Sequence, residues 1–265
     1  MTITLSGLYV YPLKSCAPLP QPAAEVDPRG LAGDRRWMVV DADGRFVTGR
    51  QQPRLTLVRA CPDGPDALRL DAPDLPTLRL APAAAERTAV TVWGSRVLAV
   101  PAEPAADAWI SGFLGQPARF VHMDPAATRR IDGRYSEAGE VSFADGFPLL
   151  LLSAAAVDLL NTRLARPVSP LRFRPNLIVA GTEAHAEDRW KRVRIGDVVF
   201  EVVKPCTRCV FTTVDFERGV RDPDGEPLRT LLTYRRGADG VTFGQNLIPL
   251  TGGGVRVGDR VDVLD

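Results

Sequence analysis

The sequence predicts a mixed, mainly β protein with helices added (α+β). Three observations carry this. Glycine and proline number 23 each and are spread along the whole chain, which punctuates many short strands. The first ~100 residues offer paired β-prone segments and no amphipathic helical stripe. A strand, Gly-Asp turn and return strand recur late, as VRIGDVVFEV from Val193 and VRVGDRVDVL from Val255.

The elements follow in order. LSGLYVYPLKS is apolar and β-prone up to Pro12. RRWMVVDADGRFVTGRQ predicts a hairpin, with Trp37–Val40 and Phe46–Thr48 about a turn at Asp43-Gly44. LRLDAPDLPTLRLAP alternates on both sides of a Pro-rich turn, and AVTVWGSRVLAV gives a pair turning at Gly94-Ser95. AADAWISGFLG is the first helix, with Trp109, Ile110, Phe113 and Leu114 on one face and Gly115 at its stop. FPLLLLSAAAVDLLNTRLA predicts a buried strand and then a helix, with Ser153 as N-cap and Val157, Leu160 and Leu164 on one face. GEPLRTLLTYRRG predicts a third helix, with Pro227 first and Gly237 after its end.

The chain has 265 residues, enough for one large or two modest domains. We place a boundary near Arg119, giving units 1–119 and 120–265, packed closely because no low-complexity linker separates them. Charged content is 25% and net charge +1, so no global field recruits nucleic acid or a membrane surface. Met1–Lys14 lacks the pattern of a signal peptide, and no apolar run suits a transmembrane helix. Four cysteines in this length do not make a disulfide scaffold, which points to a reducing, cytoplasmic setting.

Cys206 and Cys209 stand three apart in VVKPCTRCVFTTVD. Pro205 is expected to end the strand before them, leaving Cys206 in a turn at the strand end. Lys204 and Arg208 flank Cys206, and cations favour the thiolate that ligates metals. A zinc ribbon needs a second CxxC or a His pair, which Cys16, Cys61, His122 and His185 do not supply. A thioredoxin motif should open a helix, whereas VFTTVD is β-branched. On spacing alone, two ordinary thiols remain an equal reading.

YPLKSC, GDRRWMVVDADGRFVTGRQQPRL, FADGFPLL, FRPNLIVAG, EDRWKRVRIGDVVFEVVKPCTRCVFTTVD and FGQNL together resemble the MOSC family, which is similar to the C-terminal domain of molybdenum cofactor sulfurase. The likeness runs from first strand to last. It is strongest to the branch of bacterial reductases of N-hydroxylated compounds and mitochondrial amidoxime-reducing components. The resemblance implies an N-terminal β domain packed against a MOSC β-barrel domain. It implies a molybdopterin cofactor whose molybdenum is held by one cysteine thiolate, here Cys206, with Cys209 a neighbour. Two dithiolene sulfurs and one thiolate form a soft donor set, so one protein ligand suffices.

The cofactor's phosphate and pterin call for cations and planar donors. Within the matching motifs these are Lys14 and Ser15, Arg35, Arg174 and Asn176, with Asp145 and the backbone at Gly146 lining the pterin. Glu187 and Asp188 are expected as surface charges near Arg189 or Arg192, and His122 and His185 as bystanders. The resemblance implies reduction of N-hydroxylated small molecules (hydroxylaminopurines, amidoximes, N-oxides). No plant-type iron–sulfur cysteine run exists, so electrons are expected from a separate flavin, ferredoxin or cytochrome protein. The alternative is a cofactor or sulfur carrier with a persulfide on Cys206. A pyridoxal phosphate Schiff base would have to use Lys14, Lys191 or Lys204, and nothing around them suggests one.

Overall fold

The computed structural model describes residues 2–137 and 139–265. Its main sheet begins with the strand Thr4–Val10, which pairs antiparallel with Leu177–Ala180. Leu149–Ser153 follows in parallel, then Gly240–Pro249, Val198–Thr207, Arg192–Ile195 and Val261–Val263 in antiparallel order. The Val261 amide donates to the Ile3 carbonyl and the Leu5 amide to the Asp259 carbonyl, so the last strand joins the first. The sheet is thereby curled into a barrel-like form. Its inside is Leu5, Leu8, Leu151, Leu177, Val193, Phe200 and Leu247, each at most 1% exposed. Burying each contributes about 1.5–3 kcal/mol before entropy is counted.

A second sheet runs Trp37–Val40, Arg119–His122, Ser95–Pro101, Thr88–Val92. Helix α1 (Pro104–Leu114) packs Trp109, Ile110 and Phe113 into a core with Trp37, Leu55 and Phe120. Gly115 ends it in the left-handed region, as the sequence predicts, and Pro104 stands in its first turn. Helix α2 (Ala154–Asn161) starts at Ser153, whose hydroxyl accepts from the Ala156 amide. The Arg59–Pro62, Leu68–Asp71 and Leu78–Leu80 strands form a small sheet with the expected Pro-rich turn.

Four local expectations change. The return arm of the Trp37 hairpin is reduced to a Val40–Phe46 bridge and a Val47-to-Val39 bond, because Trp37–Val40 spends its other edge on Arg119–His122. Helix α3 covers only Leu228–Leu232, with Pro227 as its N-cap. Beyond it, Arg235 and Arg236 are drawn into a hairpin with Val241 and Thr242. The first Gly-Asp pattern is a hairpin, Arg192–Ile195 with Val198–Thr207. The second is not: Gly253–Arg256 pairs with Ala23–Asp27 and Val261–Val263 with Arg192–Ile195. Its turn is instead pinned to the first strand, through the Gly258 amide on the Leu5 carbonyl.

Pro205 does not end its strand, which continues to Thr207. The register slips between Val202 and Lys204 and again between Pro205 and Thr207. A bulge of this kind tolerates a residue without an N–H and re-aims the side chains beside it. Cys206 therefore sits on a strand. Among the described residues, no helix is long and apolar enough to cross a membrane.

Candidate functional site

The loops at one end of the curled sheet converge on a pocket of about 370 Å³. Lys14 and Ser15 follow the first strand, and Arg174 and Asn176 precede Leu177–Ala180. Asp145 and Gly146 precede Leu149–Ser153, Asn246 lies on Gly240–Pro249, and Lys204 and Cys206 lie on Val198–Thr207. The other half of the chain adds Arg35, Thr48, Arg50 and Trp93. All seven residues singled out from the sequence line this one pocket: Lys14, Ser15, Arg35, Asp145, Arg174, Asn176 and Cys206.

Backbone strain is concentrated here. Of seven non-glycine residues with positive φ, four line the pocket: Ser15, Arg35, Trp93 and Arg174. Such conformations cost of order 1–3 kcal/mol each and persist where the surroundings impose them. The constraint is visible. The Lys14 amide donates to the Trp37 carbonyl, the Arg35 amide to that of Tyr11, and the Arg174 amide to that of Leu171.

Charge is the pocket's main property. Seven cations line it (Lys14, Arg35, Arg50, Arg172, Arg174, Lys204, Arg208) with one carboxylate, Asp145. Lys14 is buried, and its ammonium donates to the Phe143 carbonyl and to Asp145, both at 2.6 Å. Burial pulls the Lys14 pKa down to about 8, against the opposing pull of Asp145. Asp145 is half exposed and also accepts from Arg50 at 2.7 Å. Burial pushes its carboxyl up, yet Lys14 and Arg50 outweigh this and hold it well below the usual range. Arg129, buried behind the wall, holds the loop by donating to the carbonyls of Ser142, Ala144 and Asp145.

Arg35 is bound to the fully buried Asp34 at 2.5 Å and to the Asn176 amide oxygen at 3.0 Å. Asn176 spends its remaining side-chain bonds on the Tyr9 carbonyl and the Leu150 amide, so it fixes Arg35 and three strands at once. Arg172 pairs with Asp215 at 3.3 Å. Three pocket cations have no carboxylate within ion-pairing distance among the described residues: Arg174, Lys204 and Arg208. Arg174 donates to the Cys16 carbonyl and lies against the Tyr11 ring at 4.1 Å, while its Nη2 is buried without a partner.

At the sulfurs, Arg208 Nη1 donates to Cys206 Sγ at 2.7 Å and its Nη2 to the Phe173 carbonyl, with Nε buried and unpartnered. Arg50 Nε donates to Cys209 Sγ at 3.2 Å, and its guanidinium lies 4.5 Å over the Trp93 ring. After Cys209 the β-branched run makes one 3-10 turn, Val210–Thr213. Glu187, expected at the surface, is fully buried: its Oε1 accepts from the Ser153 amide, and burial raises its carboxyl pKa. Asp188 pairs with Arg235 and Gln245 rather than with Arg189 or Arg192. His122, stacked on Trp37, and His185, against Tyr234, lie away from the pocket. Arg192 and Arg194 are exposed and paired with Asp265 and Asp262.

Two family models match the chain: the MOSC N-terminal beta barrel domain over residues 2–117 and the MOSC domain over 138–262. The chain is 36% identical to human mitochondrial amidoxime-reducing component 1, over 98% of this chain and 83% of that protein. It belongs to the MOSC family. The mouse protein of the same name is 37% identical, covering 98% and 82% of the two chains. Human mitochondrial amidoxime reducing component 2 is 34% identical over 97% and 82%.

Arg50, Trp93 and Arg129 are the site residues the sequence reading did not single out, while Arg208 was named only as a cation beside Cys206. Arg50 stands inside a MOSC-like motif, FVTGRQ, which was the available signal. Trp93 and Arg129 offered none.

The pocket fits the cofactor that the MOSC resemblance implies. A sulfur ligand with a charged donor suits a soft metal. The orphan donors Arg174 Nη2 and Arg208 Nε, both buried, suit an oxyanion. Lys14 gives a test of anion binding. Sulfate keeps its charge across neutral and alkaline pH, so any change belongs to the protein. Affinity of cofactor-free protein for sulfate, measured by calorimetry, should fall severalfold as pH rises through about 8 and Lys14 loses its proton. The folding contribution has the opposite sign. Between about 8 and the ordinary lysine value of 10.5 the unfolded chain holds a proton that the folded one releases, so stability rises with pH there. A flat sulfate profile in Lys14→Met assigns the effect. A profile unchanged by that substitution removes Lys14 from the anion site.

Proposed function

We propose that this MOSC protein is a molybdenum cofactor-dependent reductase of N-hydroxylated compounds, amidoximes and hydroxylamino bases among them. The observation that carries the reading is Cys206. It stands in the MOSC-like PCTRC segment of a chain similar to amidoxime-reducing components over nearly its whole length, its sulfur accepting from Arg208 on the pocket wall.

When bound, the cofactor supplies the two-electron chemistry that removes oxygen from an N–OH group. The chain's residues do the rest. Cys206 offers the sulfur ligand, and Arg208 fixes that sulfur and its strand. Arg174 and Lys14 offer donors to the phosphate, while Arg35, held by Asp34 and Asn176, keeps the wall in place. Trp93 and Arg50 close the pocket from the other half. The alternative of a sulfur or cofactor carrier uses the same Cys206. Reduction requires electrons from a separate donor protein, because the sequence has no dinucleotide fingerprint or iron–sulfur cysteine run. All four cysteines are free thiols, which supports a reducing, cytoplasmic setting.

The test is metal analysis with turnover of benzamidoxime. Protein from a cofactor-competent host should contain molybdenum and turn over with a chemical reductant or an added flavin- or haem-containing donor. NADH alone should give no turnover. Full molybdenum occupancy with no turnover from any donor would favour the carrier, as would a persulfide on Cys206.

A further inference from the structure

Lys204 flanks Cys206, and its ammonium is assigned no part of the cofactor. It lies two residues before Cys206 on the same bulged strand and lines the same pocket. Among the described residues its ammonium makes one hydrogen bond, to the Tyr135 hydroxyl at 3.2 Å, and sits 5.2 Å from the centre of that ring. An ammonium has three donors, so two remain for a ligand. Asp132, three residues before Tyr135 and within reach of the Lys204 charge, is already paired with Arg134 at 2.6 Å.

The pair is held in place. The Tyr135 ring meets Phe147 edge-on at 5.3 Å and packs on Ile131, Val141 and Ile248. Asn246, on the adjacent strand, donates to the Lys204 carbonyl at 3.4 Å. A tyrosine hydroxyl that accepts from lysine still has its own proton to donate. Lys204 thus presents a charged donor, steadied by the Tyr135 hydroxyl beside it, on the wall that carries the metal-ligand candidate.

We propose that Lys204 and Tyr135 form an oxyanion-recognition element that makes this protein prefer N-hydroxylated substrates bearing a carboxylate or phosphate group. The inference rests on the reductase reading above and deepens it. The charge of Lys204, unpaired by protein, is satisfied by the substrate's anionic end, while the N–OH end lies in the Cys206 pocket. Neutral substrates forgo this contact.

The experiment compares 4-carboxybenzamidoxime with benzamidoxime on molybdenum-loaded protein. Wild type should favour the carboxylate about fivefold in kcat/KM, expressed in KM, the scale of a partly exposed ion pair. It should show the same ratio in Kd by calorimetry without reductant. Lys204→Met should erase both ratios with molybdenum content unchanged, and Tyr135→Phe should reduce them. Ratios unchanged in Lys204→Met overturn the proposal. So does loss of molybdenum in that variant, which would assign Lys204 to the cofactor. A binding preference that Lys204→Met abolishes, in protein that reduces neither compound, would sustain the anion site and sink the reductase reading.

Discussion

Cys206→Ala is expected to abolish bound molybdenum and lower amidoxime turnover by more than about 100-fold, while Cys209→Ala loses less than about tenfold. The asymmetry follows from the partners of the two sulfurs. Cys206 lies on the strand, with Arg208 donating to it at 2.7 Å. Cys209 caps the next turn and accepts only a longer bond from Arg50, whose other arm holds Asp145. Removing the second sulfur therefore loosens one guanidinium. Metal analysis of both variants beside activity decides it. Equal loss in both would mean that the two thiols act as a pair and would end the single-ligand model.

Asp34→Asn is expected to cost about 3–5 kcal/mol of folding stability, the usual result of leaving a buried charge without its partner. Asp34 is fully buried, and its two oxygens take the Tyr11 amide at 2.8 Å and Arg35 at 2.5 Å. Asn cannot neutralise Arg35, which already shares the Tyr11 ring with Arg174. Asp145→Asn should cost less to the fold, since that carboxylate is 57% exposed and the buried Lys14 it leaves, with its pKa already drawn to about 8, can shed its proton. Chemical denaturation separates the two. A loss under about 1 kcal/mol for Asp34→Asn would show that Arg35 is stabilised by Asn176 and the carbonyls alone.

The parts of this protein that were legible in its sequence are those decided locally or by motif. Gly115 and Ser153 bound their helices through backbone geometry that any fold must satisfy. Lys14 and Cys206 stand in motifs at the ends of strands, and Arg35 and Arg174 in motifs just before strands begin. What was not legible depends on distant partners. The two Gly-Asp patterns are alike in sequence, yet only one is a hairpin, because the other turn docks on Leu5. Trp93 reaches the pocket from a hairpin tip whose position is set by packing between the halves. Pro205 reads as a strand end, but the bulge that accommodates it is made with Gln245 and Thr242, about forty residues later.

The pairing of Thr4 with Ala180 has a consequence for synthesis. The Thr4–Val10 strand is apolar, with Leu5, Leu8 and Val10 all destined for the barrel interior. Its partner strand emerges some 170 residues later. The domain-by-domain order in which nascent chains usually fold cannot apply to this element. The N-terminal half can gather around Trp37 and Phe120 while Thr4–Val10, paired only at its end with Leu19–Pro20, waits for the rest of the sheet and stays aggregation-prone. Chaperone demand during translation should therefore concentrate on Thr4–Val10, and it should end when Leu177–Ala180 appears.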